Sequence, residues 1–267
     1  MDSKIIDGKL ISEEIINEIK LELSRTDIVP GLALVLVGNN PASEIYVKMK
    51  EKKCAELGYY SIVNRQPETI SEAELLSIIS GYNNDPKIHG ILIQLPLPSH
   101  INEMNVLESV DYRKDVDGFH PVNAGRLMIG EKCYLPCTPA GIYELLKRYN
   151  VDTSGKHAVV IGRSNIVGKP IANILLQKAK GANCTVTVTH SATQDIASHT
   201  RRADIIVAAI GKANFLTGDM IKEGVVIIDV GINRIDDASA KKGYRVVGDV
   251  DYNSCYPKAS LITPVPG

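Results

Sequence analysis

The chain has 267 residues, 44% of them hydrophobic and 23% charged, with a formal net charge of -1. This is an ordinary globular balance, with no global field that would draw the chain to nucleic acid or to an acidic membrane. No apolar run is long enough to cross a bilayer and no signal-peptide core follows Met1-Asp2-Ser3-Lys4. The odd set Cys54, Cys133, Cys137, Cys184 and Cys255 contains no CxxC pair, so reduced cysteines are expected rather than a disulfide frame or a zinc site.

In chain order, Ser12-Glu13-Glu14 ahead of Ile15, Ile16, Ile19 and Leu23 predicts a capped amphipathic helix. The apolar run 32–37, bounded by Gly31 and Gly38, predicts a buried parallel strand. A second helix is expected from about Ala42 to Leu57, stopping at Gly58, and a capping box at Ser71-Glu72-Ala73-Glu74 opens a third. Residues 90–95 form another apolar strand, so the first 120 residues alternate strand and helix in the manner of an α/β layer structure. From Pro96 to Pro139 the rhythm breaks into prolines, glycines and clustered charges without a Ser/Gly tract, which predicts a long ordered connection. A helix over 142–149 follows, then a βαβ pattern with strands over 158–161, 185–188, 205–210 and 225–230. The length suits two modest domains, with a nucleotide-binding domain at roughly 140–260.

The turn after the strand 158–161 reads Gly162-Arg163-Ser164-Asn165-Ile166-Val167-Gly168-Lys169-Pro170. A glycine at a strand end, followed by a helix N-terminus, allows close backbone approach and offers free N–H groups to phosphate. The spacing is not GxGxxG, because Ser164 stands at the second glycine position and Gly168 arrives one residue late. An NAD site would usually place Asp or Glu at the end of the next strand to bond the ribose hydroxyls. Here that strand ends in Thr189-His190-Ser191, with no acid until Asp195. Arg163 and Ser191 can instead hold a 2′-phosphate, which favours NADP; the competing reading makes Arg163 a solvated turn residue.

In the second helix Tyr46 and Lys50 are four apart and share a face, and Lys50 lies between Val47 and Cys54 on the wheel while Lys48 and Lys52 point the opposite way. A lysine on a half-buried stripe loses solvation and becomes suited to proton transfer. The wheel alone fits a lysine snorkelling from the rim of that stripe better. Gln94 puts a polar amide at the C-terminal end of a buried strand, where open α/β sheets bind ligands. Asp117 precedes the Gly118 turn, a common surface arrangement that by itself says little.

Together these segments closely resemble the methylenetetrahydrofolate dehydrogenase/cyclohydrolase family. The matching stretches are SEIYVKMK (43–50), ILIQLPLP (91–98), KDVDGFHPVNAGRL (114–127), PCTPAGI (136–142), VVIGRSNIVGKP (159–170), HSAT (190–193), ADIIVAAIGKANF (203–215), VVIIDVGINR (225–234) and ITPVPG (262–267). The resemblance implies an α/β fold: an N-terminal α/β domain over 1–139, joined by the returning segment 261–267, and a Rossmann-type NADP-binding domain over 140–260, with a cleft between them. It implies that Lys50 is the catalytic lysine, with Gln94 beside it and Tyr46 packing on the folate ring system. Asp117 is implied to accept hydrogen bonds from the pterin, while Gly162, Arg163 and Ser164 form the cofactor turn. Ser191 is implied to contact the 2′-phosphate, and Ile232 to offer a backbone contact near the nicotinamide. The implied reactions belong to one-carbon metabolism: oxidation of 5,10-methylenetetrahydrofolate with NADP, then hydrolysis of the methenyl product to 10-formyltetrahydrofolate, with no metal. A cytoplasmic homodimer with a folate substrate, and with neither nucleic acid nor membrane as partner, is implied too. The family motif continues past PVPG with further glycines and a C-terminal helix, so a tail beyond Gly267 is expected.

Overall fold

In the computed structural model, which describes residues 4–237, 239 and 243–266, the chain falls into two units. One runs from Ile15 to Cys137, and the other combines the residues up to Glu14 with those from Thr138 onward. Helix α1, Gly8–Leu23, passes from the second into the first. It begins ahead of the expected cap at Ser12 because Asp7 does the capping: its Oδ1 accepts the N–H of Leu10 at 2.9 Å.

The unit from Ile15 to Cys137 is built on three parallel strands, β1 (Gly31–Val37), β2 (Tyr60–Gln66) and β3 (Gly90–Ile93), in the order β2-β1-β3. The central β1 is apolar throughout, as a strand buried on both faces requires. Helix α2 (Pro41–Glu56) follows β1 and α3 (Glu72–Asn84) follows β2. The capping box that opens α3 forms both of its bonds, Glu74 N to Ser71 Oγ at 3.2 Å and Ser71 N to Glu74 Oε2 at 3.0 Å. Ala33, Val35 and Val37 pack with Leu75, Ile79, Ile88, Ile91 and Val106 into one core. The sequence pattern did not mark β2, since an edge strand with one face open carries Asn64, Arg65 and Gln66 rather than an apolar run. The expected connection over 96–139 is ordered but also helical, holding α4 (Glu103–Ser109) and α5 (Pro121–Ile129). Asn102 and His120 cap these short helices, and both are too brief to show a clear apolar period.

In the other unit, α6 (Cys137–Arg148) leads to β4 (His157–Ile161), α7 (Gly168–Leu176), β5 (Thr185–Thr189), α8 (Ile196–Thr200), β6 (Ile205–Ala208) and β7 (Val226–Asp229). An antiparallel pair, β8 (Asn233–Asp236) and β9 (Tyr244–Val247), and the short α9 (Tyr252–Cys255) precede β10 (Leu261–Ile262). Five parallel strands run in the order β10-β7-β6-β4-β5. The expectation that 261–267 joins the N-terminal domain is corrected by β10, which pairs Leu261 with Val226 and Ile262 with Ile227. Ile262 is fully buried, and its N–H donates to Lys4 O at 2.8 Å while its carbonyl accepts from Ile6 N at 2.9 Å. Burying such a side chain contributes about 1.5–3 kcal/mol, which fixes the segment to this sheet. Gly267 lies outside the described residues. Among the described residues no helix is long and apolar enough to cross a membrane, and no group of His, Cys, Asp or Glu is arranged to hold a metal ion.

Candidate active site

Helix α2 starts where Asn40 Oδ1 accepts the N–H groups of Ala42 and Ser43 at 3.0 and 3.2 Å, with Pro41 in its first turn. This start sets the rotation of the helix. Ser43, Val47 and Cys54 go into the unit, Lys50 is half-buried on the same side, and Tyr46, one turn earlier, is 48% exposed. The other lysines of α2 face carboxylates at its surface: Lys48 meets Glu44 at 4.0 Å, Lys52 meets Glu56 at 3.9 Å and Lys53 meets Glu56 at 2.8 Å. Lys50 meets a neutral amide instead. Its Nζ donates to Gln94 Oε1 at 3.2 Å. Gln94 is held at the end of β3 by its N–H on Val35 O at 2.9 Å, and its Nε2 donates to Leu95 O at 3.0 Å, which leaves Oε1 turned to the lysine.

Asp117 arrives on a loop that runs beside β3, with Ile91 N donating to Lys114 O at 2.7 Å and Ile91 bridged to Asp115. Val116 fills the space that a Cβ on Gly90 would need, 2.5 Å from its Cγ1. Asp115 is buried and is the loop's anchor: its Oδ2 accepts His120 N at 2.9 Å and Asn123 Nδ2 at 2.8 Å. Gly118 turns the chain at φ +66, where a Cβ would stand 2.7 Å from Tyr134 O. Burial pushes the carboxyl of Asp117 above the ordinary carboxylate range, against the pull of the nearby Lys50 charge and of a hydrogen bond from Cys137. Cys137 Sγ donates to Asp117 Oδ1 at 3.3 Å. Part of Cys137 stays accessible to solvent, yet its sulfur is desolvated and lies against the Asp117 charge, so the thiol is pushed up to about 12 and keeps its proton. The structure therefore brings Lys50, Gln94 and Asp117 together and adds Cys137. In the sequence that cysteine stands only as one of five thiols expected to be reduced and as part of PCTPAGI (136–142), since a lone cysteine without a metal-ligand spacing carries no signal of its own.

The nucleotide turn stands at the C-terminal edge of the five-stranded sheet. Gly162 takes φ +129, and a Cβ there would lie 2.1 Å from Ala209 O; one on Gly168 would lie 2.3 Å from Gly162 O. Both positions exclude a side chain, which is the backbone closeness a dinucleotide turn needs. Ser164 Oγ accepts the N–H groups of Val167 and Gly168 at 3.2 and 3.3 Å, so it starts α7 while its own O–H stays available to donate. Strands β4 and β5 pair Ile161 with Thr189, so Arg163 and Ser191, both exposed, leave the sheet at the same edge on neighbouring strands. Among the described residues Arg163 has no ion-pair partner. Ile232, 68% exposed, leaves that edge after β7, beyond β6. A cradle free of side chains at a helix start, with a free guanidinium and a hydroxyl beside it, fits a phosphorylated dinucleotide.

Comparison with known proteins decides the family. The model of the tetrahydrofolate dehydrogenase/cyclohydrolase catalytic domain matches residues 6–117, and that of the family's NAD(P)-binding domain matches 136–267. The chain belongs to the tetrahydrofolate dehydrogenase/cyclohydrolase family. Bifunctional protein FolD of Chlorobium phaeovibrioides is 57% identical over 269 residues, covering 98% of this chain and 91% of that protein. The crystal structure of the bifunctional FolD methylenetetrahydrofolate dehydrogenase/cyclohydrolase from Campylobacter jejuni superposes with a TM-score of 0.92 at 49% identity, covering 98% of this chain and 91% of that one. The Trypanosoma brucei FolD, solved with NADP cofactor and an inhibitor, gives a TM-score of 0.87 at 37% identity, covering 97% and 88%. The catalytic-domain match spans Lys50, Gln94 and Asp117, and the NAD(P)-binding-domain match spans the glycine turn at 162–168. The family's catalytic domain carries the Lys50 group, and its NAD(P)-binding domain carries the edge from Gly162 to Ile232.

Proposed function

We propose that this family member oxidises 5,10-methylenetetrahydrofolate to 5,10-methenyltetrahydrofolate with NADP and hydrolyses that product to 10-formyltetrahydrofolate, with Lys50 moving the protons of the hydrolysis. The observation that carries the assignment is the Lys50–Gln94 contact at 3.2 Å beside Asp117. In the hydrolysis a C–O bond forms between water and the methenyl carbon as the water loses one proton; the carbinol O–H then gives up the second as the C=O forms and the ring C–N bond breaks, its electron pair taking up a proton on nitrogen, so that one proton is released to solvent overall. An amine next to that carbon can take a proton from the water and return one to the nitrogen. Gln94 aims it: an amide oxygen accepts from Nζ whether or not the amine carries its extra proton, so the nitrogen stays in place through the proton transfers. Tyr46, exposed one turn away on the same helix, offers a flat apolar surface for the folate ring system and helps place the reacting carbon. Asp117 accepts from the pterin amino group and ring nitrogen, a recognition for which an acceptor-only carboxylate is suited.

For the oxidation, Gly162, Arg163, Ser164, Ser191 and Ile232 would hold NADP, which supplies the hydride acceptor when bound. The protein's own part in that step is to position the methylene carbon. A cytoplasmic location and a homodimer complete the proposal. Both rest on the resemblance to bifunctional relatives, and cell fractionation and a solution mass read them directly.

Cofactor choice gives a first test. A charge-assisted hydrogen bond to the 2′-phosphate is worth about 1.5–3 kcal/mol, or roughly a ten- to hundredfold preference for NADP over NAD. Arg163→Ala should therefore weaken NADP binding far more than NAD binding, and the difference should shrink at high salt. Dissociation constants for both cofactors with both proteins measure this; equal losses would assign Arg163 to the turn or to the shared pyrophosphate.

A further inference from the structure

Asp249 lies two residues beyond β9 and is fully buried. A carboxylate there requires a full set of donors, and it has them. Its Oδ2 accepts the N–H groups of Ile210 at 2.7 Å and Gly211 at 2.8 Å, in the loop after β6. Its Oδ1 accepts Asn233 Nδ2 at 2.8 Å, at the first residue of β8. Asp249 is itself seated by Asp229 at the end of β7, whose Oδ1 accepts Asp249 N and Gly231 N, both at 2.9 Å, and whose Oδ2 accepts Val250 N at 3.1 Å. Glycines make the room. A Cβ on Gly231 would sit 2.3 Å from Asp249 Oδ1, and one on Gly248 would sit 1.7 Å from Asp229 Oδ2.

Both segments tied by Asp249 reach the edge assigned above to the cofactor. The loop after β6 abuts the nucleotide turn, since Ala209 O occupies the place a Cβ of Gly162 would take. Asn233 directly follows Ile232, whose exposed backbone lies beyond β6 on that edge. One buried side chain thus links the support of the pyrophosphate turn to the support of the far end.

We propose that Asp249 is a positioning residue for the dehydrogenase step, fixing the loop after β6 and the Ile232–Asn233 segment relative to each other. The proposal rests on the NADP reading of this edge. What matters is hydrogen-bond geometry rather than charge: an Asn at this position can present its oxygen to Ile210 and Gly211 and its NH2 to a carboxamide of Asn233 turned over.

The test compares Asp249→Asn, Asp249→Ala and Asn233→Ala in the full chain. It measures NADP binding, methylenetetrahydrofolate-dependent NADP reduction, and methenyltetrahydrofolate hydrolysis without cofactor. Asp249→Asn should keep both activities within about threefold, the effect of one neutral-for-charged hydrogen bond in a retained geometry. Asp249→Ala should lower dehydrogenase kcat/KM about 10- to 100-fold, the scale of a small misplacement of reacting groups, and leave hydrolysis within about twofold. Should the Ala variant fail to fold, Asn233→Ala removes a single tether from a half-buried residue and carries the test, with dehydrogenase down about two- to tenfold and hydrolysis unchanged. The proposal is overturned if Asp249→Asn is as damaged as Asp249→Ala, if both activities fall in parallel, or if the dehydrogenase ignores Asp249→Ala and Asn233→Ala. A wild-type chain that binds no NADP would overturn it together with the reading beneath it, whereas tight NADP binding with any of the other three results removes the positioning role alone.

Discussion

Lys50→Met should lower methenyltetrahydrofolate hydrolysis about 10²- to 10⁴-fold, the range a positioned general acid–base contributes. Methionine keeps an aliphatic side chain on the half-buried side of α2 that carries Val47 and Cys54, and removes only the nitrogen. Folding should survive, because among the described residues Lys50 makes no ion pair that would be orphaned; the partner left behind is the Gln94 amide. Dehydrogenase activity depends on positioning more than on proton transfer and should fall much less. Steady-state hydrolysis by the purified variant, with circular dichroism to confirm the fold, measures the effect. Hydrolysis near the wild-type rate would remove Lys50 from the mechanism.

Asp117→Asn should raise the folate KM for both activities together by roughly ten- to hundredfold, the cost of a charge-assisted hydrogen bond and of an NH2 group facing pterin donors. Asparagine can still accept one hydrogen bond, and Cys137 Sγ, which donates to Oδ1 at 3.3 Å, can remain its partner. The carboxyl of Asp117 is held above the ordinary range by burial, so on acidification it protonates sooner than an exposed aspartate would. The wild-type folate KM should therefore rise as pH falls through that raised value, and the Asn variant should lose this limb of the profile. Stability responds to pH in the opposite sense. A group bound to its proton more tightly when folded contributes stability below its unfolded pKa and loses that contribution as pH rises through the folded one. At neutral pH the neutral Asn should thus fold at least as stably as the wild type. If only one of the two activities responded, a shared folate site would be excluded.

The elements that could be read from sequence were those whose local signals agree with their burial. The strand 31–37 shows as an apolar run between glycines because it is central in its sheet, and the Ser71 box shows because both capping partners are local. Elements set by distant partners did not show. Strand β2 is a polar edge, α4 and α5 are short helices among prolines, and β10 is a two-residue strand defined by its pairing with β7 and its contacts to Lys4 and Ile6. The candidate site divides in the same way. Tyr46 and Lys50 share a helical face that spacing alone reveals, but the wheel favours a snorkelling lysine; Gln94 beside it follows from the family resemblance, and the fold supplies the contact at 3.2 Å. Asp117 reads on its own as an ordinary surface acid before a glycine turn and takes a role only through the family resemblance, because the groups that hold its loop, Asp115, Asn123 and His120, form no local signature. Cys137 and Asp249 carry no pattern of their own, since their importance lies in groups more than fifteen residues away.

One assay on the unmodified chain tests its bifunctional character most directly. The purified protein is given 5,10-methenyltetrahydrofolate without cofactor, and separately 5,10-methylenetetrahydrofolate with NADP. The expected result is loss of the methenyl absorbance at a rate well above the spontaneous one in the first case, and appearance of NADPH in the second. A chain that reduces NADP but leaves methenyltetrahydrofolate to hydrolyse at its spontaneous rate, or that hydrolyses it and never forms NADPH, would contradict the assignment of both activities to this protein.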